Sequence, residues 1–410
     1  MQDFFRDRFS SISFYDLLVG ILILTLPFST KAPNIILGIL MVFFLIQIKD
    51  TKRISFKFFL ASPFIFLMIF IIYSLVKGIL IGDLSDNKFS LLPLLIIIPL
   101  LFTKVRNFSV VLFSVVLSTM ISAIWASFQL AQYYIHTQSL DLFEGGQIND
   151  LLGMERPYLA FFCTCGIISA LVLIRSFQTL KYYLLAYIIF IIFFIAIVSA
   201  RASVGTIVLL GVLYLLFYFK VSVGKKILFV SGIIAIVVGS LAFNQNLKER
   251  FFVGKDISET LQKVKEHEPR VIIWNCVALI TESSDFNKII GFENATIVDV
   301  ELANCYDATM ENKHRADFFK TSQYNTHNQF LGLYMGEGII GVMLLIFFFI
   351  GAILRDYRNF YKIAIVIALL LFFVVENVIQ RQLGMYFFAI CLSVITLYLC
   401  KMEKQTTEAK

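Results

Sequence analysis

Residues 325–354 read NTHNQFLGLYMGEGIIGVMLLIFFFIGAIL, and this stretch joins the two kinds of sequence that make up the chain. Its first five residues are polar and close a long polar segment. From Phe330 onward the side chains are predominantly apolar for about 25 residues, which is the length of a helix that crosses a membrane. We therefore expect a membrane helix that begins beside His327, at the boundary between a polar loop and the bilayer.

The composition extends this expectation to the whole chain. Of the 410 residues, 59% are hydrophobic, only 15% are charged, and 44 are phenylalanine. A globular protein in water must cover much of its surface with polar side chains, so this balance excludes a soluble domain. The sequence predicts an all-α, polytopic membrane helix bundle whose main partner is the lipid bilayer.

About twelve apolar segments are long enough to be transmembrane helices. They are residues 14–30, 33–48, 56–81, 89–103, 109–135, 157–175, 182–200, 202–219, 226–243, 328–354, 361–377 and 384–400. The fourth is short, and we expect it to be tilted, kinked or re-entrant. The chain is thereby divided into helices 1–9 (residues 1–243), a large loop (244–326), helices 10–12 (327–400) and a tail (401–410).

Basic residues predict the orientation in the membrane. The connections on one side hold roughly three times as many Lys and Arg residues as the short connections on the other side. The positive-inside rule therefore places both termini in the cytoplasm and the large loop outside. The net charge of +7 reflects this bias and does not indicate a nucleic-acid partner. No cleavable signal peptide is recognisable at the N-terminus.

The large loop is too short for an independent domain and is predicted to be mainly helical, lying over the membrane helices. Ser258 is suited to cap a short helix that Pro269 interrupts. A second helix is expected from Arg270 to about Glu282. Residues 286–324 are expected to be irregular and polar, forming a lid or a binding surface.

Two arginines are candidates for an anion site. Arg201 begins the eighth apolar segment, and Arg270 begins the loop helix that carries Trp274 one turn later. A guanidinium beside the free N–H groups of a helix N-terminus binds phosphate well, whereas the helix dipole opposes an arginine there without an anion. The alternatives are an interfacial Arg201 that reaches toward the headgroups, and an Arg270 paired with Glu266 or Glu268.

His327 is the candidate catalytic base. At a helix N-terminus the local potential disfavours imidazolium and leaves a neutral imidazole that can accept a proton from a hydroxyl. A lone histidine is more often structural, and Asn328 and Gln329 beside it can orient it or bind sugars. Arg381 is expected to pair with Glu376 or to contact the same anion, and the short connection that carries both charges slightly favours the pair.

Several chemistries lack the residues that they require. The sequence has no glycine-rich phosphate loop, no G-x-S-x-G elbow and no H-E-x-x-H motif, so we expect neither a nucleotide cofactor nor a metal. An isolated D-x-E at 299–301 is a weak metal signal. Six cysteines show no metal-ligand spacing, and Cys163 and Cys165 are predicted to be soft side chains within a helix. The apolar segments are almost free of acidic residues, which argues against ion-coupled transport.

Four stretches, taken in their order and spacing, resemble the O-antigen ligase family. They are VSAR (198–201), PRVIIW (269–274), THNQFL with GEGIIG (326–331 and 336–341), and VENVIQRQLG (375–384). The resemblance covers roughly residues 195–390. Two features depart from the family pattern: Gly205 stands where many members have leucine, and the glycine-bearing turn after the loop helix is represented only by IGFE (290–293).

The resemblance implies metal-independent, inverting glycosyl transfer at the periplasmic face of a bacterial inner membrane. The implied donor is a glycan on undecaprenyl pyrophosphate, and the implied acceptor is a sugar of lipid A-core. By position, Arg201 and Arg270 resemble the family's pyrophosphate-binding arginines and His327 its essential histidine. Asn328, Trp274, Arg381 and Glu376 are then candidates for supporting roles.

Two other functions stay open on the sequence. A polymerase of O-antigen or exopolysaccharide belongs to the same superfamily and would use a second lipid-linked glycan as acceptor. A polysaccharide exporter or flippase is a different class, and it would line a transmembrane path with polar or charged side chains.

Overall fold

The computed structural model describes residues 12–46, 63–82, 84, 87–138, 145–198, 200–219, 221–228, 231–232, 268–322 and 324–398. All regular structure in these ranges is helical, with no strand among them. In the membrane part the helices are α1 (Phe14–Thr25), α2 (Ala32–Ile46), α3 (Phe64–Ile81), α4 (Asn87–Leu91), α5 (Leu94–Phe102), α6 (Phe108–Thr137), α7 (Gly145–Leu152), α8 (Arg156–Ser176), α9 (Lys181–Ile197) and α10 (Arg201–Leu213). They are followed by α11 (Pro269–Glu282), α12 (Ala295–Thr309), α13 (Lys313–Thr321), α14 (Gln329–Asp356), α15 (Phe360–Val375) and α16 (Gln382–Ser393).

The prediction of an all-α membrane protein is confirmed at this level. Six helical stretches are long and apolar enough to cross a membrane: Phe64–Ile81, Phe108–Thr137, Ile148–Ser176, Gln178–Ile197, Arg201–Tyr218 and Gln329–Arg355. Five further apolar helices are shorter, among them Phe360–Val375 and Gln382–Leu397. The count of about twelve spans stays a prediction, since most of the ninth segment (226–243) lies outside the described residues, as do the helix expected after Ser258 and the tail.

The irregularity expected in the fourth apolar segment is present. Helix α4 ends at Leu91, and Pro93 caps the start of α5. Proline lacks the N–H that would continue the ladder and its ring crowds the preceding turn, so the helix breaks where the sequence places it.

Helix α8 forms the centre of the bundle and packs against α6, α9 and α15. Aromatic rings fill these contacts: Phe161 stacks on Phe372 of α15 with ring centroids 4.3 Å apart, and Phe162 stacks on Phe387 of α16 at 4.7 Å. The periphery is apolar as well, with Leu80 81% exposed. So much exposed hydrocarbon on a bundle that also has an apolar interior is the pattern of a protein that lies in lipid.

Helices α11, α12 and α13 form a cap over the N-terminal part of α14. Their own apolar core includes Ile273 of α11, Tyr306 of α12 and Phe319 of α13, and Met335 of α14 closes it from below. A disulfide between Cys276 and Cys305 joins α11 to α12 across a separation of 29 residues. Closing a loop of that length restricts the unfolded chain by an amount worth about 3–4 kcal/mol.

The expectation that residues 286–324 are irregular is therefore wrong. Most of this stretch forms α12 and α13, whose first turns are capped by Asn294 and Asn312. Each asparagine side chain accepts a hydrogen bond from the third residue beyond it, which satisfies a donor that a helix N-terminus leaves free. The helix that precedes them agrees with its prediction to within one residue, since it begins at Pro269 and ends at Glu282.

The cap is hydrogen-bonded to the bundle at a kink in α14. Gly338 has φ 65°, which breaks the helix and lets the Lys288 carbonyl accept from Ile339 N at 3.0 Å. A Cβ on Gly338 would lie 2.1 Å from the Ile289 carbonyl oxygen, so this position requires glycine. Lys77 of α3 donates to the carbonyls of Ile290, Phe292 and Gly336 at the same junction.

Candidate active site

Arg201 and Arg270 converge on one carboxylate. Arg201 is the first residue of α10, and Arg270 is the second residue of α11. One oxygen of Glu268 lies 3.0 Å from Arg201 Nη2, and its other oxygen lies 3.8 Å from Arg270 Nη1. The pairing of Arg270 with Glu268 that the sequence allowed is present, and Arg201 joins it. Two guanidinium groups thus face the same anionic group from two helix N-termini.

A second carboxylate links Arg270 to the histidine. Glu376 caps the C-terminus of α15 and its side chain is only 3% exposed. Its Oε1 lies 3.3 Å from Arg270 Nη2, and its Oε2 lies 3.3 Å from His327 Nδ1. Because a carboxylate only accepts hydrogen bonds, His327 Nδ1 carries the proton in this contact. The other ring nitrogen, Nε2, is then the proton acceptor of the neutral imidazole.

These five side chains, Arg201, Glu268, Arg270, Glu376 and His327, form a row of alternating charge that we call the charged cluster. The candidate pyrophosphate-binding arginines and the candidate base are therefore adjacent, as the sequence predicted that they can be. Arg270 Nε is buried and has no hydrogen-bond partner, so its guanidinium retains a free donor.

The backbone holds His327 in a strained conformation just before α14. Its φ is 43°, in the left-handed region that a residue with a side chain seldom adopts. Asn325 Oδ1 accepts from His327 N at 3.0 Å, and the Asn328 side chain caps the helix by accepting from Phe330 N and Leu331 N. The helix thus begins at Gln329, two residues after the histidine, and Asn328 orients the turn rather than the ring.

Trp274 and Thr326 tie this turn to the cap. The Trp274 indole N–H donates to the Thr326 carbonyl at 3.0 Å, one residue before the histidine. The ring of Tyr324 lies beside the imidazole, with centroids 5.6 Å apart. The supporting role proposed for Trp274 therefore falls on the backbone of the histidine turn, not on an anion.

Asn377 lies next to this turn and makes several hydrogen bonds with it. It is 1% exposed, and its Oδ1 accepts from Thr326 Oγ1 at 2.9 Å and from Asn328 N at 2.8 Å. Its carbonyl accepts from the Tyr158 hydroxyl at 3.2 Å, which connects the turn to the centre of the bundle. A buried amide with so many partners fixes the position of His327 relative to Glu376, its neighbour in the chain.

The predicted pair of Arg381 with Glu376 is wrong. Arg381 Nη1 pairs with Glu155, the residue that precedes α8, and its guanidinium lies 6.0 Å from the centre of the Tyr158 ring. Arg381 caps α16 with its backbone extended, and this directs its side chain toward α8. Glu376 is left to Arg270 and His327. Arg381 is thus a neighbour of the cluster and not a member.

Sequence reasoning also missed three features. Glu268 is expected from the sequence only as a partner of Arg270, whereas it also pairs with Arg201. Glu337 is an exception to the expectation of apolar segments almost free of acidic residues, since it is 1% exposed and pairs with Lys88 at 2.6 Å. The disulfide of Cys276 and Cys305 joins α11 to α12, and the spacing of the six cysteines does not predict it.

The arrangement can do two things chemically. Arginine side chains that converge on an oxyanion stabilise negative charge that develops on a leaving group. A neutral imidazole oriented by a carboxylate can take a proton from a hydroxyl. Within the described residues no group of three His, Cys, Asp or Glu side chains is placed to hold a metal ion.

In comparisons with known proteins, no family model matches this chain and no curated protein sequence matches it significantly. Any functional assignment therefore depends on the site itself.

Proposed function

We propose that the chain is an O-antigen ligase-like glycosyltransferase. It moves a glycan from undecaprenyl pyrophosphate to a sugar of lipid A-core at the periplasmic face of a bacterial inner membrane. The observation that carries the proposal is the charged cluster: two arginines share one carboxylate, and the second arginine shares another carboxylate with His327.

The Glu268 carboxylate stands where a phosphate group of the donor would bind. It is part-exposed, with 24% of its side chain accessible, and it faces both guanidinium groups. A pyrophosphate offers more charge and more acceptor oxygens than a carboxylate and forms stronger contacts with planar guanidinium groups. Donor binding would therefore displace Glu268 from the arginines.

Transfer is a single displacement in this proposal. The acceptor hydroxyl oxygen attacks the anomeric carbon, and His327 Nε2 takes the hydroxyl proton. The bond between the anomeric carbon and the pyrophosphate oxygen breaks, and its electron pair leaves with undecaprenyl pyrophosphate. Arg201 and Arg270 stabilise the charge that grows on that oxygen, an effect worth a few kcal/mol for each well-placed donor. One displacement inverts the anomeric configuration.

Glu376 keeps the base oriented throughout. It accepts the Nδ1 proton, which fixes the tautomer, and it stabilises the imidazolium that forms when Nε2 is protonated. Arg270 in turn balances the charge of this buried carboxylate. The leaving-group site and the base are thus coupled through one glutamate.

The placement of the site outside the cytoplasm has two supports. The distribution of basic residues predicts an external cap, and the Cys276–Cys305 disulfide is typical of an oxidising compartment such as the periplasm. A transferase in the periplasm has no supply of nucleoside triphosphate, so cleavage of the pyrophosphate linkage supplies the driving force.

The test is transfer by the purified protein in proteoliposomes with a radiolabelled, lipid-linked glycan as donor. Lipid A-core and a second lipid-linked glycan are offered as acceptors in separate reactions, with EDTA present. We expect labelled lipid A-core. Product on the second lipid-linked glycan alone would identify a polymerase of the same superfamily. No product with either acceptor, together with movement of the donor across the membrane, would overturn the proposal in favour of an exporter or flippase.

A further inference from the structure

A second polar site lies beside the charged cluster, and His327 does not line it. It is a small cleft, partly open to solvent, whose free volume of about 40 Å³ has room for roughly three water-sized groups such as hydroxyls. Helix α12 forms one side of it through Asp299, and α14 forms the floor through Gly332, Gly336 and Glu337. The turn before α14 contributes Asn325 and Thr326, and Gln329 is the first residue of α14. We call this the amide cleft, after the amide side chains along its wall.

Two buried polar atoms on lining residues have no partner. Gln329 is 0% exposed, and its Oε1 accepts from Ile379 N at 2.7 Å, while its Nε2 has no hydrogen-bond partner. Glu337 Oε1 accepts from Lys88 Nζ at 2.6 Å, while its Oε2 has none. Buried polar groups are nearly always paired in folded proteins. One free N–H donor and one free acceptor in a single cleft point to a ligand that both donates and accepts.

The polar lining of the cleft is mostly uncharged. Among the described residues its one lysine, Lys88, is paired with Glu337, and Asp299 is the other acid. The remaining polar residues described there are uncharged: Asn325, Thr326, Gln329, Asn377 and Gln380. Amide groups both donate and accept hydrogen bonds, so they suit the hydroxyl groups of a neutral sugar.

Two glycines make room on the floor. Gly332 and Gly336 lie one turn apart on α14, so they occupy the same face of the helix. A Cβ on Gly336 would approach only Lys88 Nζ, at 4.0 Å, so helix packing does not require glycine at this position. A larger side chain there would instead fill the cleft.

We propose that the amide cleft receives the hydroxyl groups on one edge of an uncharged sugar residue of the acceptor glycan, whose ring lies at the open side of the cleft. The inference rests on the proposed function, in which the donor pyrophosphate occupies the arginine side of His327. The acceptor must then approach from elsewhere, and the cleft adjoins the same turn through Thr326 and Gln329. Hydroxyl groups of the sugar pair with Gln329 Nε2 and Glu337 Oε2.

The experiment measures binding without any reaction. Full-length protein in nanodiscs is titrated by saturation-transfer NMR with the methyl glycosides of glucose, galactose, mannose and N-acetylglucosamine, and separately by ³¹P NMR with inorganic pyrophosphate. We expect at least one glycoside to bind, and Gly336→Leu and Gln329→Met each to weaken it at least tenfold without changing pyrophosphate binding. Gly38→Leu, where nothing lies within 4 Å of the Cβ, is the matched control. Arg270→Ala should show the reverse pattern.

Binding of no glycoside, unchanged binding in Gly336→Leu, or competition by pyrophosphate would overturn the cleft proposal. The two proposals fail separately. Glycoside binding with these responses but no transfer would remove the proposed function and leave the sugar site. Transfer with a KM for acceptor that is unchanged in Gly336→Leu would remove the sugar site and leave the proposed function.

Discussion

The charged cluster and the amide cleft lie on neighbouring surfaces of the same turn, and they differ in how they treat charge. In the cluster two arginines and two glutamates alternate, and the arginines converge from separate helix N-termini. In the cleft the one lysine is paired with Glu337, and amides supply most of the polar lining. One surface is suited to a multiply charged ligand and the other to a neutral one. His327 therefore lies between two sites of distinct chemistry.

The largest effect is expected from Arg270, because it contacts both carboxylates of the cluster. Arg270→Ala removes a donor to the leaving group and leaves Glu376 buried without its cation. We expect a loss of transfer of about 10³-fold or more, with glycoside binding in the cleft unchanged. Steady-state transfer kinetics check this, with the exposed Arg358→Ala as control. A loss below tenfold would mean that the cluster does not bind the leaving group.

Glu376 should have the next largest effect. Glu376→Gln keeps the shape of the side chain but removes the charge that orients His327 and stabilises its protonated form. The expected result is a fall in kcat of about 10²-fold with little change in the KM for acceptor. If KM rises and kcat is retained, the carboxylate serves the cleft and the two sites are not distinct.

Asn377 lines the amide cleft and also holds the turn that carries His327, so its substitution should affect both sites. Asn377→Leu leaves Asn328 N without its acceptor, a loss of about 1–3 kcal/mol, whereas the Thr326 hydroxyl keeps the Asn328 carbonyl as its acceptor. We expect a lower midpoint of thermal unfolding in detergent and weaker binding of both pyrophosphate and glycoside. Asn377→Asp retains the acceptor oxygen and should lie closer to wild type. If only pyrophosphate binding or only glycoside binding is weakened, Asn377 supports only one of the two sites.

Glu268 should give the smallest effect, and one of opposite sign. Glu268→Gln removes the resident carboxylate from the arginines while keeping its size. Inorganic pyrophosphate should then inhibit transfer at a concentration about two- to tenfold lower, since the pair is part-exposed and partly screened. Inhibition that weakens in this variant would show that Glu268 assists anion binding instead of occupying the site.

The sequence predicts the bundle because apolar runs and helix starts are local signals. The helix that begins at Pro269, the helix start at Arg201 and the position of His327 before α14 all follow from such signals. Helices α12 and α13 are not predicted from the sequence, because their apolar core is built from segments that are distant in the chain. The disulfide and Met335 of α14 join these segments.

Charge pairing is harder to predict because it depends on how helices are arranged in space. Arg381 and Glu376 are close in the sequence, yet Arg381 turns to Glu155 and Glu376 turns to Arg270 and His327. The unpaired atoms of Gln329 and Glu337 are likewise visible only in the folded chain. The candidate residues could be chosen from the sequence, but not the partners that give them their roles.

The role of His327 as the base is tested most directly by separating donor binding from transfer in His327→Ala. The variant and the wild type are compared in nanodiscs for equilibrium binding of the lipid-linked donor and for transfer of its glycan to lipid A-core. We expect donor affinity to stay within about threefold while transfer falls by about 10²–10⁴-fold, the range of a lost general base. Transfer at the wild-type rate in this variant would contradict the role of His327 as the base.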